Sequence, residues 1–250
     1  MKAMIFAAGL GTRLRPLTDT MPKALVPVAG KPMLEHVILK LKSSGFDNIT
    51  INIHHLGEQI INFLNANNNF GVTIHISDER DKLLDTGGGI KKARSFLECD
   101  DEPFLVHNVD ILSNVDLKDF YRQHINNKSA ATVLASPRDT SRYLIFDNQN
   151  KLQGWINKKT GETKPEGFHF DEQSQHAFAF SGIHILSPHD IFPLMEAAKW
   201  GDKFSVIDFY LSACRQTTVC GYIKNDLKLI DIGKPETLAE AEQFINNVLK

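Results

Sequence analysis

Cysteine is scarce in this chain: Cys99, Cys214 and Cys220 are the only three among 250 residues. The count is odd and no pair stands at zinc-knuckle or redox spacing, so the sequence offers neither a disulfide framework nor a metal knuckle, and the three read as small buried hydrophobes in a reducing compartment. There is no basic excess either. A net charge of −2 gives no bulk support to nucleic-acid binding. Long hydrophobic runs are missing: the stretch from Met1 to Ala8 meets Gly9 too soon for a signal segment or a membrane span, so the expectation is a cytoplasmic chain with no membrane partner. No internal repeat occurs, and no hexapeptide run that would build a β-helix. The phosphate-binding pattern G-x-x-x-x-G-K-[ST] is absent, which argues against a Walker A nucleotide site. The dinucleotide fingerprint would need a third glycine where Leu14 stands, which disfavours hydride transfer on a Rossmann domain.

What is there is ordinary globular composition, 42% apolar and 23% charged, with enough chain for a sizeable core. Lys2–Ala8 reads as a buried strand. Met33, Leu34, Val37, Ile38 and Leu41 recur at helical spacing, between Pro32 at the start and Gly45 past the end. Ile49–Ile53 and Val72–Ile76 alternate as strands do, Ile60, Ile61 and Leu64 mark a helix, Gly89–Leu97 looks helical, and Phe104–Val109 is an apolar strand running into Asp110. Strand and helix alternate through roughly the first 110 residues, which predicts an α/β fold: a Rossmann-like, mostly parallel central sheet with helices on both faces. Closely spaced strands at 131–135, 143–146, 152–156 and 178–186 then predict antiparallel hairpins. Helices are expected at 188–198, 204–213 and 237–249, with strands at 218–223 and 227–232. The expectation is one domain over 1–250, with a nucleotide-binding half (1–115) and a sugar-binding half (116–250). The polar stretch 157–175 fits either a solvated loop or a mobile flap.

The segment after the first strand runs Ala7-Ala8-Gly9-Leu10-Gly11-Thr12-Arg13-Leu14-Arg15-Pro16. Two glycines one residue apart let backbone N–H groups approach a ligand, and a turn of such groups is an anion-binding concavity. Thr12 adds a hydroxyl and Arg13 a charged fork suited to phosphate oxygens. Lys23 follows Pro22, whose fixed backbone aims it. Asp110 and Asp231 each end an apolar strand, where ligands of open α/β sheets bind. Singly, each aspartate also fits a turn or a helix cap. Together, two carboxylates suit Mg²⁺, which takes a few protein oxygens and fills its shell with phosphates and water. Adjacent His54 and His55 point to opposite faces of a strand and do not make a zinc site.

Residues 2–45, A-A-G-L-G-T-R-L-R-P-L-T followed by P-K-A-L-V-P-V-A-G-K-P-M-L, resemble the signature of the sugar nucleotidyltransferases, the nucleoside-diphosphate-sugar pyrophosphorylases. The resemblance implies that Ala8, Gly9, Gly11 and Thr12 hold the nucleotide, that Arg13 grips the phosphates leaving as pyrophosphate, and that Lys23 bridges the α-phosphate and the sugar phosphate. It places Asp110 and Asp231 as Mg²⁺ ligands and Asn108 beside the nucleotide, although Val109 stands where the family usually has glycine. Leu84-Asp85-Thr86-Gly87-Gly88-Gly89 is similar to the family's base-contacting segment, in a spelling like that of N-acetylmuramate-1-phosphate uridylyltransferases and related mannose-1-phosphate guanylyltransferases. Asp85, Thr86 and Gly87 would then meet the base. From the residues alone, a helix start tightened for packing fits as well. The match thins between about 130 and 225, where Ser181 and Gly182 are the implied sugar contacts and Lys158 or Lys159 could meet the sugar phosphate. The implied partners are a nucleoside triphosphate, UTP first and GTP second, and a sugar 1-phosphate. A non-catalytic sugar-nucleotide sensor on the same fold is the alternative.

Overall fold

The computed structural model describes residues 1–197 and 200–248. β1 (Lys2–Phe6) leads into a long loop carrying a small ribbon, β2 (Pro27–Val28) and β3 (Lys31–Pro32). The alternating half follows: α1 (Met33–Ser43), β4 (Asn48–Ile53), α2 (Gly57–Ala66), β5 (Thr73–Asp78), α3 (Asp85–Lys92), α4 (Arg94–Leu97) and β6 (Phe104–Asn108). Then come β7 (Ile111–Ser113), α5 (Leu117–Asn127), β8 (Ala131–Ser136), β9 (Arg142–Asp147), β10 (Leu152–Asn157), β11 (Thr163–Lys164) and β12 (Gln175–Leu186). The chain closes with α6 (Pro188–Ala197), α7 (Val206–Ala213), β13 (Val219–Ile223), β14 (Leu229–Asp231) and α8 (Pro235–Val248).

One sheet of ten strands spans the molecule. β5, β4, β1 and β6 lie side by side and parallel, as the alternating pattern predicts. β12 runs antiparallel to β6 and carries the sheet on into the hairpin strands β9, β10 and β11. β8 pairs with β12 on its other flank and holds β13 parallel to itself. The period-two rule sorts the core: Ala3 and Ile5 of β1 face one layer with α1, while Met4 faces the other with α3, α6 and α7. Both faces are therefore covered, as a parallel sheet requires. Among the described residues no helix is long and apolar enough to cross a membrane.

Two helices differ from the sequence reading. α3 begins at Asp85, so the three glycines expected just ahead of the helix form its first turns and are buried. A Cβ on Gly87 would stand 2.3 Å from the Phe204 ring, and one on Gly88 only 2.0 Å from the Asp202 carbonyl oxygen. The glycines let the 202–204 segment lie directly on α3. Gly88→Ala is expected to cost roughly 2 kcal/mol, the scale of overpacking, or roughly 4–8 °C in Tm for a chain this size. A thermal melt within 1 °C of the parent would show that the segment moves aside freely. The second difference is α5, which no apolar periodicity announced. Asp116 caps it by accepting from the N–H groups of Lys118 and Asp119.

The carboxyl ends of β1, β4 and β6 share one edge, at Phe6, Ile53 and Asn108. The loops leaving that edge build the cleft. β14 returns to the same place by pairing with β7, Asp231 opposite Ile111, and the Ile232 N–H donates to the Asp110 carbonyl at 2.8 Å.

Candidate active site

The 9–25 loop is shaped around Lys23. Gly11 adopts φ +64°, and a Cβ there would stand 2.8 Å from Thr18 Cγ2 and 3.0 Å from Lys23 Cβ. Its carbonyl accepts from the Leu14 N–H and the Thr18 hydroxyl, both at 2.8 Å. A side chain at position 11 would therefore push away the lysine that the loop presents. Lys23 is largely buried and forms an ion pair with Asp110. Thr12 and Arg13 lie on the exposed part of the loop. The Arg13 guanidinium lies against Gly233, where a Cβ would stand 2.7 Å from Arg13 Nη2 and 2.9 Å from Asp231 Oδ1.

Burial, then the neighbouring charge of Asp110, raises the Asp231 carboxyl above its ordinary value, while Lys23, Arg13 and Arg138 oppose the rise. Two aspartates 121 positions apart in sequence thus share one electrostatic environment with three cations. Arg138 was not singled out by the sequence. It leaves the end of β8 and donates to the Phe180 carbonyl at 3.1 Å. Behind the site, His107 is fully buried and desolvation lowers its pKa to about 4, so it is neutral at pH 7. Its Nδ1 lies 2.7 Å from the Asn108 carbonyl, a structural position.

A cleft of about 360 Å³ opens beside the Lys23–Asp110 pair, a size common for small-molecule sites. Ala8, Gly9, Lys23, Asp85, Thr86, Asn108 and Asp110 from the sequence reading line it. Among the described residues nothing within 4 Å would meet a Cβ on Gly9, so that backbone faces open space. Val109 borders the cleft, yet it is buried within the core layer of α1. Asp85 holds φ +61° and accepts from the Thr86 N–H at 2.6 Å, and the Thr86 hydroxyl accepts from the Val206 N–H at 2.9 Å.

Three expected contacts are placed differently. Gly87 is packed beneath Phe204 and is not on the cleft wall, so packing by itself requires a glycine here. Ser181 and Gly182 are buried within β12, at the bulge where its register with β8 shifts. Gly182 has φ +73°, and a Cβ there would stand 2.8 Å from Asn108 Nδ2, so it supports a cleft residue from below. Gly11, Thr12, Arg13 and Asp231 do not line the cleft itself; the first three lie on the loop that carries Lys23, and Arg13 lies beside Asp231 across Gly233.

Asn52 and Glu79 also line the cleft, and the sequence reading missed both. The Ala7 N–H donates to Asn52 Oδ1 at 2.8 Å, and Asn52 Nδ2 donates to Glu79 Oε1 at 2.7 Å. The Leu84 N–H donates to Glu79 Oε2 at 3.2 Å. Glu79 is fully buried with these hydrogen bonds, and among the described residues no cation pairs with it. A polar residue at the carboxyl end of a strand buried on both faces is the signal that could have found Asn52.

The donor set tests the expected metal. Among the described residues no group of three or more His, Cys, Asp or Glu side chains converges as a self-sufficient metal site. Two carboxylates, Asp110 and Asp231, lie within each other's field, and the charge of one raises the other's proton affinity. That set is too small for a zinc or calcium cage. It fits Mg²⁺ completed by phosphate and water.

Comparisons with known proteins identify the family. A model of the nucleotidyl transferase family matches residues 2–248. The chain is 48% identical over 245 residues to the N-acetylmuramate alpha-1-phosphate uridylyltransferase of Neisseria meningitidis, covering 97% of each. It is 31% identical over 255 residues to the UTP–glucose-1-phosphate uridylyltransferase of Synechocystis, covering 94% of this chain but spanning only 60% of that relative's length. Among solved structures, HddC from Yersinia pseudotuberculosis complexed with GMP-PN matches with a TM-score of 0.74 at 25% identity, covering 97% of this chain and 98% of that one.

Proposed function

This chain belongs to the nucleotidyl transferase family, and we propose that it transfers the nucleotidyl group of a nucleoside triphosphate to a sugar 1-phosphate. An oxygen of the sugar phosphate attacks the α-phosphorus, the bond from that phosphorus to the β-phosphate oxygen breaks, and pyrophosphate leaves. The observation that carries this reading is the Lys23–Asp110 ion pair on the wall of one cleft, with Asp231 and Arg13 near enough to share its field. Two polyanions must approach each other there, so charge neutralisation and alignment are the work to be done. The nucleophile is already an anion, and no general base is needed. Lys23 lies where it can exchange its ion pair with Asp110 for phosphate oxygens. Arg13, on the exposed loop, reaches the leaving side. Asp110 and Asp231 would hold Mg²⁺, which when bound supplies charge stabilisation to phosphate oxygens.

UTP with an N-acetylated sugar 1-phosphate is the favoured pair, supported by the 48% identical relative. One observation favours GTP as a second reading. Glu79 is a buried carboxylate on the cleft wall, and guanine offers N–H groups from both N1 and N2, whereas uracil offers one. A matrix of nucleoside triphosphates against sugar 1-phosphates, scored by pyrophosphate release with and without Mg²⁺, tests the proposal. The expected result is a single strong row for UTP that disappears with chelator. A strong GTP row would transfer the base assignment to the Glu79 reading. No release from any pair would leave the non-catalytic sensor as the better account.

A further inference from the structure

β7 and β14 stand apart from the ten-stranded sheet as a ribbon of two three-residue strands. Two strands alone are marginally stable, so packing or bonds from outside must seat them. The seating matters here. The ribbon begins at the residue after Asp110 and ends at Asp231, so its position sets how the two carboxylates face each other. Its near end is closed by the Ile232 N–H on the Asp110 carbonyl. Its far end is closed by Asn114, whose N–H donates to the Lys228 carbonyl at 3.1 Å and whose side-chain oxygen accepts from the Lys228 N–H at 2.9 Å.

Antiparallel strands bond through alternate residues. With Asp110 and Asn114 bonded across the ribbon, the Ser113 carbonyl points away from β14, toward α1. Lys40 of α1 donates to it there. α1 is anchored in the core by its buried stripe from Met33 to Leu41, so the half-buried ammonium beside that stripe is a fixed point. The charge is costly where it sits. Burial lowers the pKa of Lys40 to about 8, with the Asp116 charge opposing the fall. An uncharged side chain of similar length would fill the place without that cost, so stability alone does not account for the lysine. The charges of Lys40 and Asp110 both reach His107 in β6, which places the ammonium close to the strand that runs into Asp110.

We propose that Lys40 is a positioning residue for the metal pair: by holding the Ser113 carbonyl to α1 it seats the β7–β14 ribbon, and with it the separation of Asp110 and Asp231. This rests on the reading of those two carboxylates as the Mg²⁺ ligands. Among the described residues no hydrogen bond or ion pair joins Lys40 to either carboxylate, so its effect passes through the backbone of the ribbon. That route has a distinctive sign. Removing a positive charge near a cation site would by itself tighten metal binding. Removing the tie that spaces the ligands weakens it.

The test titrates Mn²⁺, a paramagnetic stand-in for Mg²⁺, into the parent and Lys40→Met, with binding read by electron paramagnetic resonance. Methionine keeps the length of the side chain and removes the donor. The expected result is a Kd for Mn²⁺ about 10-fold weaker in the variant, the low end for losing a group that orients metal ligands from outside their shell. Amide exchange over residues 229–232, read alongside by mass spectrometry, should quicken in the variant. A folded variant that binds Mn²⁺ as the parent does, or more tightly, overturns the assignment. In the first case Lys40 is a prop for the fold, and in the second it acts through its field. Should Lys40→Met not fold, Lys40→Gln, shorter and uncharged, carries the same comparison. If the parent itself binds no Mn²⁺, the reading of the two aspartates as metal ligands fails. The exchange rates then still decide whether Lys40 seats the ribbon: faster exchange in the variant supports it, and rates equal to the parent's end it.

Discussion

Lys23→Ala is expected to lower the rate of pyrophosphate release by more than about 100-fold at saturating nucleotide, the scale for removing one preorganised charge from a reacting centre. The size follows from how the lysine is held. Pro22 fixes the backbone before it, and Gly11 leaves room for its Cβ. The ammonium is therefore placed before any substrate arrives, and little reorganisation remains at the moment of reaction. Asp110→Ala is expected to lose activity on the same scale from the opposite side of the pair. The lysine variant also leaves a largely buried carboxylate without its cation, a penalty of about 1–3 kcal/mol. Rates should accordingly be compared well below each variant's melting temperature. Activity within a few-fold of the parent, in a folded variant, would remove Lys23 from the reaction.

The reach and the limit of the sequence both come from sequence distance. The first strand, the loop to Lys23 and the α1 stripe were legible because each is local: apolar run, glycine turn, period 3.6. Asp110 and Asp231 were legible as strand ends, though their meeting depends on the β7–β14 ribbon, whose three-residue strands are too short to carry a pattern. α5 stayed hidden because its buried stripe is Leu117, Phe120 and His124, and a histidine on the inward face breaks the apolar count. That histidine is satisfied from afar, by Thr132 and Ser187. The glycines at 87–89 were ambiguous for the same reason. What they must admit, Phe204, Asp202 and Glu79, is set by other parts of the chain. Asn52 was passed over because Ile/Asn alternation reads as a half-exposed strand, whereas helices cover both faces of β4 and the amide is spent on Ala7 and Glu79.

Asp231→Asn is expected to separate stability from activity. In the folded chain, burial and then the Asp110 charge raise the Asp231 carboxyl above its unfolded value. A carboxyl raised in this way makes the fold bind a proton more tightly than the unfolded chain does. The ionised form present at pH 7 is therefore a burden on stability, incurred as pH rises through the unfolded and then the folded pKa. Asparagine has no such charge, so the variant should melt slightly above the parent at pH 7. The advantage should close as pH falls below the ordinary carboxylate range, where both aspartate states are protonated. It stays small because Asp231 still reaches water and because Lys23, Arg13 and Arg138 already offset part of the repulsion. Turnover should fall by more than about 100-fold, since the carboxylate that burdens the fold is the one proposed to hold the metal. Mg²⁺ should then raise the melting temperature of the parent by mass action and leave the variant nearly unmoved. A variant that melts below the parent at pH 7 would mean that the three cations outweigh burial and Asp110. The Asp231 carboxylate would then serve the fold as one member of an ion network, and its place in the reaction would have to be given to another group.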